Sequence, residues 1–180
     1  MYANSCYPYT GHYPMQDHWS SDWRYYWHPQ YYHWSNHAYS PQGAILLQDY
    51  GPKPLVLNIA RASKQNNNYR TTLWTGKYFQ VTVMSINVGD DIGLEVHPTT
   101  DQFIRIEEGQ GMVQMGDSKD KLDFQAFATV DSAIMVPAGK WHNVTNTGNR
   151  PMKVSVIYAP PEHPHSTVHA TKAIAQEMQD

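Results

Sequence analysis

The segment Gly89-Asp-Asp-Ile-Gly-Leu-Glu95-Val-His97-Pro-Thr-Thr-Asp-Gln102, followed by Phe103 to Glu108 and then Gly109, carries the densest chemical signal in this chain. Glu95 and His97 stand two apart in a run read as a strand (Leu94–His97), so both side chains point to one face while Val96 points to the other. The Pro98–Asp101 turn then lets Gln102 open a return strand beside them. A second segment, Pro137-Ala-Gly139-Lys-Trp-His142-Asn-Val-Thr-Asn146, delivers His142 to a strand end through a Pro-x-Gly turn. One carboxylate, two imidazoles and one amide oxygen can thus converge in the interior of a β structure. A carboxylate facing inward is costly without a cation or a hydrogen-bond network, which favours a metal at Glu95.

The texture around these segments is all-β from residue 43 onward. Short runs rich in Val, Ile, Thr, Phe and Tyr alternate with Gly, Asp, Asn and Pro turns. The pattern predicts strands near Ile45–Asp49, Leu55–Ile59, Tyr69–Trp74, Phe79–Val88, Leu94–His97, Gln102–Glu107, Gly111–Met115, Lys121–Phe127, Ala133–Val136, His142–Thr147 and Met152–Ile157. That many short strands, with no helical period between them, predicts a sandwich or barrel rather than βαβ units. Thr171 caps a predicted C-terminal helix over Lys172–Met178.

Composition changes sharply near residue 42. Residues 1–42 hold nine of the 13 Tyr, four of the six Trp and five of the ten His, with no Val, Ile, Leu or Phe. Without branched aliphatics a packed core is hard to build, so this segment reads as a poorly ordered low-complexity tail. Its alternative reading is an adhesive or cross-linkable arm, similar to Tyr-His-Pro-rich tails on some spore-surface proteins. The chain of 180 residues is therefore expected to hold one domain at 43–165, the tail at 1–42, and a C-terminal arm and helix at 166–180. The formal net charge is -3 and the 13 Lys and Arg are dispersed, so no nucleic-acid groove is expected. No apolar run approaches the roughly 20 residues of a membrane span, and no secretory signal pattern opens the chain. The single cysteine, Cys6, excludes an intramolecular disulfide framework and suits a reducing, cytoplasmic setting.

The joint spacing of the two segments resembles the two motifs of the cupin superfamily, G-x5-H-x-H-x(3,4)-E-x6-G and G-x5-P-x-G-x2-H-x3-N. Gly89, His97, Gly109, Pro137, Gly139, His142 and Asn146 fall on the pattern. Three positions depart from it: Glu95 stands where the first His is usual, Gln102 at the Glu position, and Asp131 at the first Gly of the second motif. The resemblance covers about 43–165 and implies a jelly-roll barrel. Glu-x-His-x4-Gln followed by Phe-Ile-Arg-Ile-Glu-Glu-Gly looks like small bacterial cupins of the mannose-6-phosphate isomerase-like type. So do the stretches Asn66 to Gly76 and Ala159 to His169. The resemblance implies a homodimer that pairs through edge strands.

The implied metal set is Glu95, His97, Gln102 and His142 around one divalent ion. Two His and one carboxylate suit Fe, Mn, Zn or Ni alike, and phosphomannose isomerases use two His, one Glu and one Gln. An enzyme built this way would be a metal-dependent oxygenase or a sugar-isomerase-like protein acting on a small molecule, with Glu95 as the only evident candidate base. The competing readings are a non-catalytic cupin that holds a metal or small ligand, and a spore-surface coat component that works through its tail. Arg105 points away from the metal by strand parity and is expected in a structural ion pair. Trp141, Tyr78, Phe79, Met84, Phe103 and Met135 are expected to line the core or the barrel mouth. Glu162, His163, His165 and His169 are expected on an exposed polar arm, with a cover over the mouth as the alternative.

Overall fold

The computed structural model describes residues 43–178, so the tail read at 1–42 lies outside the described residues. The elements run α1 (Ile59–Gln65), β1 (Arg70–Thr75), β2 (Gln80–Ile86), β3 (Asp101–Glu108), β4 (Gln110–Gly116), β5 (Phe124–Thr129), β6 (Ala133–Val136), β7 (Trp141–Asn146), β8 (Met152–Ala159), β9 (Val168–His169) and α2 (Lys172–Glu177). The strands lie in two antiparallel sheets, one ordered β6-β3-β8-β2-β1-β9 and one ordered β5-β4-β7. This is the jelly-roll cupin architecture expected from the motifs. The ladders described leave it as two sheets rather than one closed ring.

Strand register determines what faces the interior, because opposed residues in an antiparallel pair share a face. One row across the large sheet reads Gln80, Tyr158, Gln102, Val136. The next row reads Thr72, Thr82, Val156, Ile104, Ile134. The third reads His169, Arg70, Met84, Val154, Ile106. The aliphatic members of these rows join Val113 and Met115 of β4 and Val144 of β7 in one buried cluster. Burial of each such side chain contributes roughly 1.5–3 kcal/mol. The opposite face of β1 and β2 is covered by α1: Leu73 and Val83 pack with Ile45 and Ala62, and Leu47, Leu57 and Ile59 close over them. Polar residues thus gather at one end of an otherwise apolar interior.

Most predicted strands are present within two or three residues of the expected bounds. Three are not. Leu55–Ile59 is not a strand; it leads into α1, whose Asn58 side chain accepts from the Arg61 amide at 2.9 Å. Asn58 is an N-cap signal that the β-rich surroundings obscured. Ile45–Asp49 forms no ladder either. Only Ile45 carries a bridge, and the Gln65 amide grips its backbone, accepting from its N–H at 3.0 Å and donating to its carbonyl at 2.5 Å. Leu94–His97 contributes only a single bridge, Glu95 with His142, and pairs with no part of β3, so the expected hairpin to Gln102 is absent. Met84 is in the core, whereas Tyr78 and Met135 are 72% and 65% exposed and line nothing buried. The C-terminal helix is present, with Thr171 as its N-cap.

Two turns show what the motif positions do. Gly109 adopts φ +88° between β3 and β4, and a Cβ there would lie 3.0 Å from the Met152 Cα. Asp131, at the position where the second motif has Gly, adopts φ 70°. Asp tolerates the left-handed region better than most residues, and its exposed carboxylate pairs with Arg105. Asp131→Val and Asp131→Gly both delete that pairing, but only Val keeps a β-branched side chain at positive φ. Urea denaturation should therefore find Asp131→Val less stable than Asp131→Gly by about 1 kcal/mol. Equal midpoints would contradict the backbone assignment.

Candidate metal centre

Glu95 and His142 meet because their backbones are hydrogen-bonded to each other: the His142 N–H donates to the Glu95 carbonyl at 2.9 Å and the Glu95 N–H to the His142 carbonyl at 3.1 Å. Directly bridged residues project their side chains to the same side. His97 is brought in by the second motif, since the Gly139 N–H donates to the His97 carbonyl at 2.8 Å. The Pro137–Gly139 turn thus positions His97 as well as His142.

The imidazoles are oriented by their outer nitrogens. His142 Nδ1 lies 3.0 Å from the Lys140 carbonyl, and His97 Nδ1 lies 3.1 Å from the Glu162 carboxylate. A carbonyl and a carboxylate can only accept, so the hydrogen-bond network assigns the proton of each neutral ring to Nδ1. Each Nε2 then carries a lone pair, and both face the same oxygen. Glu95 Oε1 is 3.3 Å from His97 Nε2 and 3.4 Å from His142 Nε2. The ring centroids of the two His are 5.6 Å apart. Three acceptor atoms pointing at one another repel unless a proton or metal ion sits among them. The three ligand atoms all lie within 4.8 Å of one another, so the group could hold a metal ion.

The surrounding atoms tell the same story. His142 Nε2 is buried with no aligned hydrogen-bond partner among the described residues, and so is Gln102 Oε1. Gln102 lies opposite Tyr158 in the β3–β8 ladder, and the Tyr158 ring contacts His97 edge-on at 5.6 Å. The sequence-predicted residues Glu95, His97 and His142 are therefore brought together, and Gln102 is placed one cross-strand neighbour away with a vacant carbonyl oxygen. A carboxylate–histidine pairing such as Glu162 with His97 is also how proteins commonly orient metal-ligating imidazoles.

Electrostatics bind the cluster together. Burial alone would raise the Glu95 carboxyl, but a proton on the His142 or His97 nitrogen that faces it, together with the Arg70 charge, holds the group well below its ordinary range. Burial would lower His97, yet Glu95 and then Glu162 outweigh it and hold its pKa above the usual histidine value.

Several residues of this centre were not singled out in the sequence. Arg70 is 1% exposed, beside Tyr69 and Tyr158. The segment after β8 is not a free arm. His169 is buried in β9, and the Gln80 amide clips the His163 backbone, donating to its carbonyl at 2.9 Å and accepting from its N–H at 3.1 Å. The His163 ring lies edge-on to Tyr158 at 4.9 Å. Glu162, His163, Thr167 and His169 join Glu95 and His97 around a cavity of about 650 Å³. Of the expected exposed arm, Glu162 and His165 stay on the surface, Glu162 with its carboxylate turned to His97 and His165 near Asp49. The signal available in advance was Gln80, a polar residue on the inner face of a core strand. Arg105 behaves as strand parity requires, paired with Glu107 and Asp131 away from the centre.

Burial, then the Arg70 charge, push the His163 pKa down to about 3. Such a group stabilises the fold fully above its unfolded value near 6.5 and loses that contribution as pH falls toward 3. Its Nε2 has no partner among the described residues, so Phe can replace the ring without breaking a hydrogen bond of the side chain. The urea midpoint of His163→Phe should fall less steeply than that of the wild type between pH 6.5 and pH 4. Identical slopes would contradict the buried, neutral assignment.

Comparison with known proteins agrees with this fold. The Cupin domain family matches residues 82–158, which include Glu95, His97, Gln102 and His142. The chain is 65% identical over 136 residues to the uncharacterized protein YrkC of Bacillus subtilis (strain 168), spanning 76% of this chain and 73% of that protein. It is 36% identical over 110 residues to an uncharacterized protein of Acanthamoeba polyphaga mimivirus, spanning 61% and 67%. A crystal structure from Bacillus halodurans superposes with a TM-score of 0.72 at 60% identity, covering 72% of this chain and 98% of the other. Among the described residues, no helix is long and apolar enough to cross a membrane.

Proposed function

The chain belongs to the cupin family, and on that premise we propose that it holds one divalent metal ion through Glu95, His97 and His142, with Gln102 as a fourth oxygen donor, and acts as a small-molecule metalloenzyme. The observation that carries the reading is the convergence of two imidazole lone pairs on Glu95 Oε1, with both Nδ1 atoms already engaged. An ion at this place would act as a Lewis acid toward a carbonyl or enediol oxygen, or as the site of oxygen chemistry, with positions left open beside the protein ligands. Ligand type does not separate Fe, Mn, Zn and Ni, and the oxygenase and isomerase readings share this centre.

The chain's own groups divide the remaining work. Glu162 fixes the His97 ring and increases its basicity toward a cation. The Lys140 carbonyl does the same for His142. Glu95 serves as a ligand, and it could act as a base only where it leaves the ion. His163 walls the cavity beside His97, and the buried Tyr158 ring backs both of them. The second reading, a non-catalytic cupin that binds a metal or small ligand, uses the same residues and differs only in turnover.

Elemental analysis of the untagged protein after dialysis should give close to one divalent ion per chain, lost in His142→Ala. Glu162→Gln, which touches no ion in this scheme, should keep the stoichiometry but weaken metal affinity about 10–100-fold. Bound metal in His142→Ala at wild-type level would contradict the ligand assignment. Oxygen uptake and isomerase assays on the loaded protein against a panel of small substrates separate the catalytic reading from the binding one.

A further inference from the structure

Of the four proposed ligands, Glu95 and His97 border the cavity, whereas His142 and Gln102 are buried and do not. The cavity therefore gives a small molecule its approach to an ion held by Glu95 and His97. Its volume of about 650 Å³ lies within the roughly 300–1,000 Å³ usual for small-molecule sites. The rest of its wall comes largely from the segment after β8, with Met178 at the end of α2.

The polar groups of this wall are mostly committed. Glu162 holds His97 Nδ1 at 3.1 Å. The Thr167 hydroxyl donates to the Pro164 carbonyl at 2.7 Å. His163 Nε2 and His169 Nδ1 are closed off from solvent, so each ring offers a ligand at most one nitrogen. Among the described residues, no Lys or Arg borders the cavity. Burial, then the Arg70 charge, holds His163 and His169 below the usual histidine value, so neither ring supplies a cation at neutral pH. What remains open is apolar. Val96 and Pro164 contribute to the wall, and so do Val168 and Met178, with 51% and 71% of their surface exposed. Exposed apolar side chains that share a cavity with a carboxylate and an imidazole make an amphipathic site.

We propose that the ligand of this centre is a small chelating molecule with a hydrocarbon body, its paired oxygens directed to the ion beside Glu95 and His97 and its body lying against Val168 and Met178. The proposal rests on the metal reading for the chelating head alone. A sugar phosphate fits this wall poorly. Its hydroxyls would give up water and find few free partners, each unpaired one at a cost. Its phosphate would meet two carboxylates, Glu95 and Glu162, and no fixed side-chain cation. The wall thus selects among substrates where the ion alone does not.

The test uses the zinc-loaded full chain, with zinc content measured on every sample. Acetohydroxamate, hexanohydroxamate, gluconohydroxamate and phosphoglycolohydroxamate share one chelating head and differ in body. Each methylene moved fully out of water adds about fourfold in affinity, so hexanohydroxamate should bind about tenfold or more tightly than acetohydroxamate. Gluconohydroxamate, whose chain of equal length is hydroxylated, and phosphoglycolohydroxamate should gain nothing over acetohydroxamate. Combining Val168→Ser with Met178→Ser should cut the hexano-to-aceto affinity ratio about threefold or more. Equal affinity for the two alkyl probes, preference for the polyol or phosphate body, or an undiminished ratio in the double variant would overturn the proposal. Should the double variant not fold, the ranking of the four probes on the wild type decides. If no sample takes up zinc, the metal reading fails by itself, and the metal-free protein still tests the wall. Its Met178 methyl resonance, assigned by its disappearance in Met178→Ser, should shift saturably with 1-hexanol and stay still with glucose. Any other pattern overturns the apolar wall.

Discussion

A single oxygen, Glu95 Oε1, faces two imidazole nitrogens whose rings are already turned by acceptors on their far sides. Three ligand atoms are thereby aimed at one another, and much of the surrounding structure exists to impose this. The bridge between Glu95 and His142 sets one side of the contact. The Pro137–Gly139 turn, docked on the His97 carbonyl, sets another. Glu162 and the Lys140 carbonyl fix the rings. A proton can satisfy the cluster in part, which is why His97 is held above its ordinary pKa, and a divalent ion could engage both imidazoles and the carboxylate at once.

The large sheet then organises a polar chamber on an apolar frame. Because register places Gln80, Tyr158 and Gln102 in one row, polar side chains occupy one end of the interior while Val154, Val156, Ile104 and Ile106 fill the other. The segment after β8 completes the chamber. Gln80 clips the His163 backbone with both amide atoms, β9 pairs with β1, and Glu162 reaches His97. Elements distant in sequence therefore share one site, so a change at the C-terminal segment reaches His97 directly through its Glu162 contact.

The fold was largely legible because a β pattern with two spaced motifs leaves few alternatives. Ala133–Val136 and the Thr171 cap could be read directly from alternation and capping. The misses have local causes. The alternation of Leu55 and Leu57 suits a strand, but Leu57 packs against Leu73 and Val83 while Asn58 caps α1. Leu94–His97 has strand composition, yet Gly93 at φ +87° and Pro98 confine it to one bridge. In the centre, Glu95, His97 and His142 were legible because their spacing is short and their chemistry distinctive. Arg70 and Glu162 were not, since what makes them part of the site is strand pairing between β1 and β9 and a contact across 65 residues of sequence from His97. Position 131 shows the reverse case: an apparent departure from a motif that keeps the backbone conformation the motif requires.

The most direct test of the central claim is a zinc-edge anomalous difference map from crystals of the untagged full chain grown with Zn(II). A single strong peak is expected roughly 2.0–2.2 Å from Glu95 Oε1 and from Nε2 of both His97 and His142, with each Nδ1 still on its present acceptor. A map without density there, with Glu95 still in direct contact with both rings, or a peak bound through Nδ1 instead, would contradict the account.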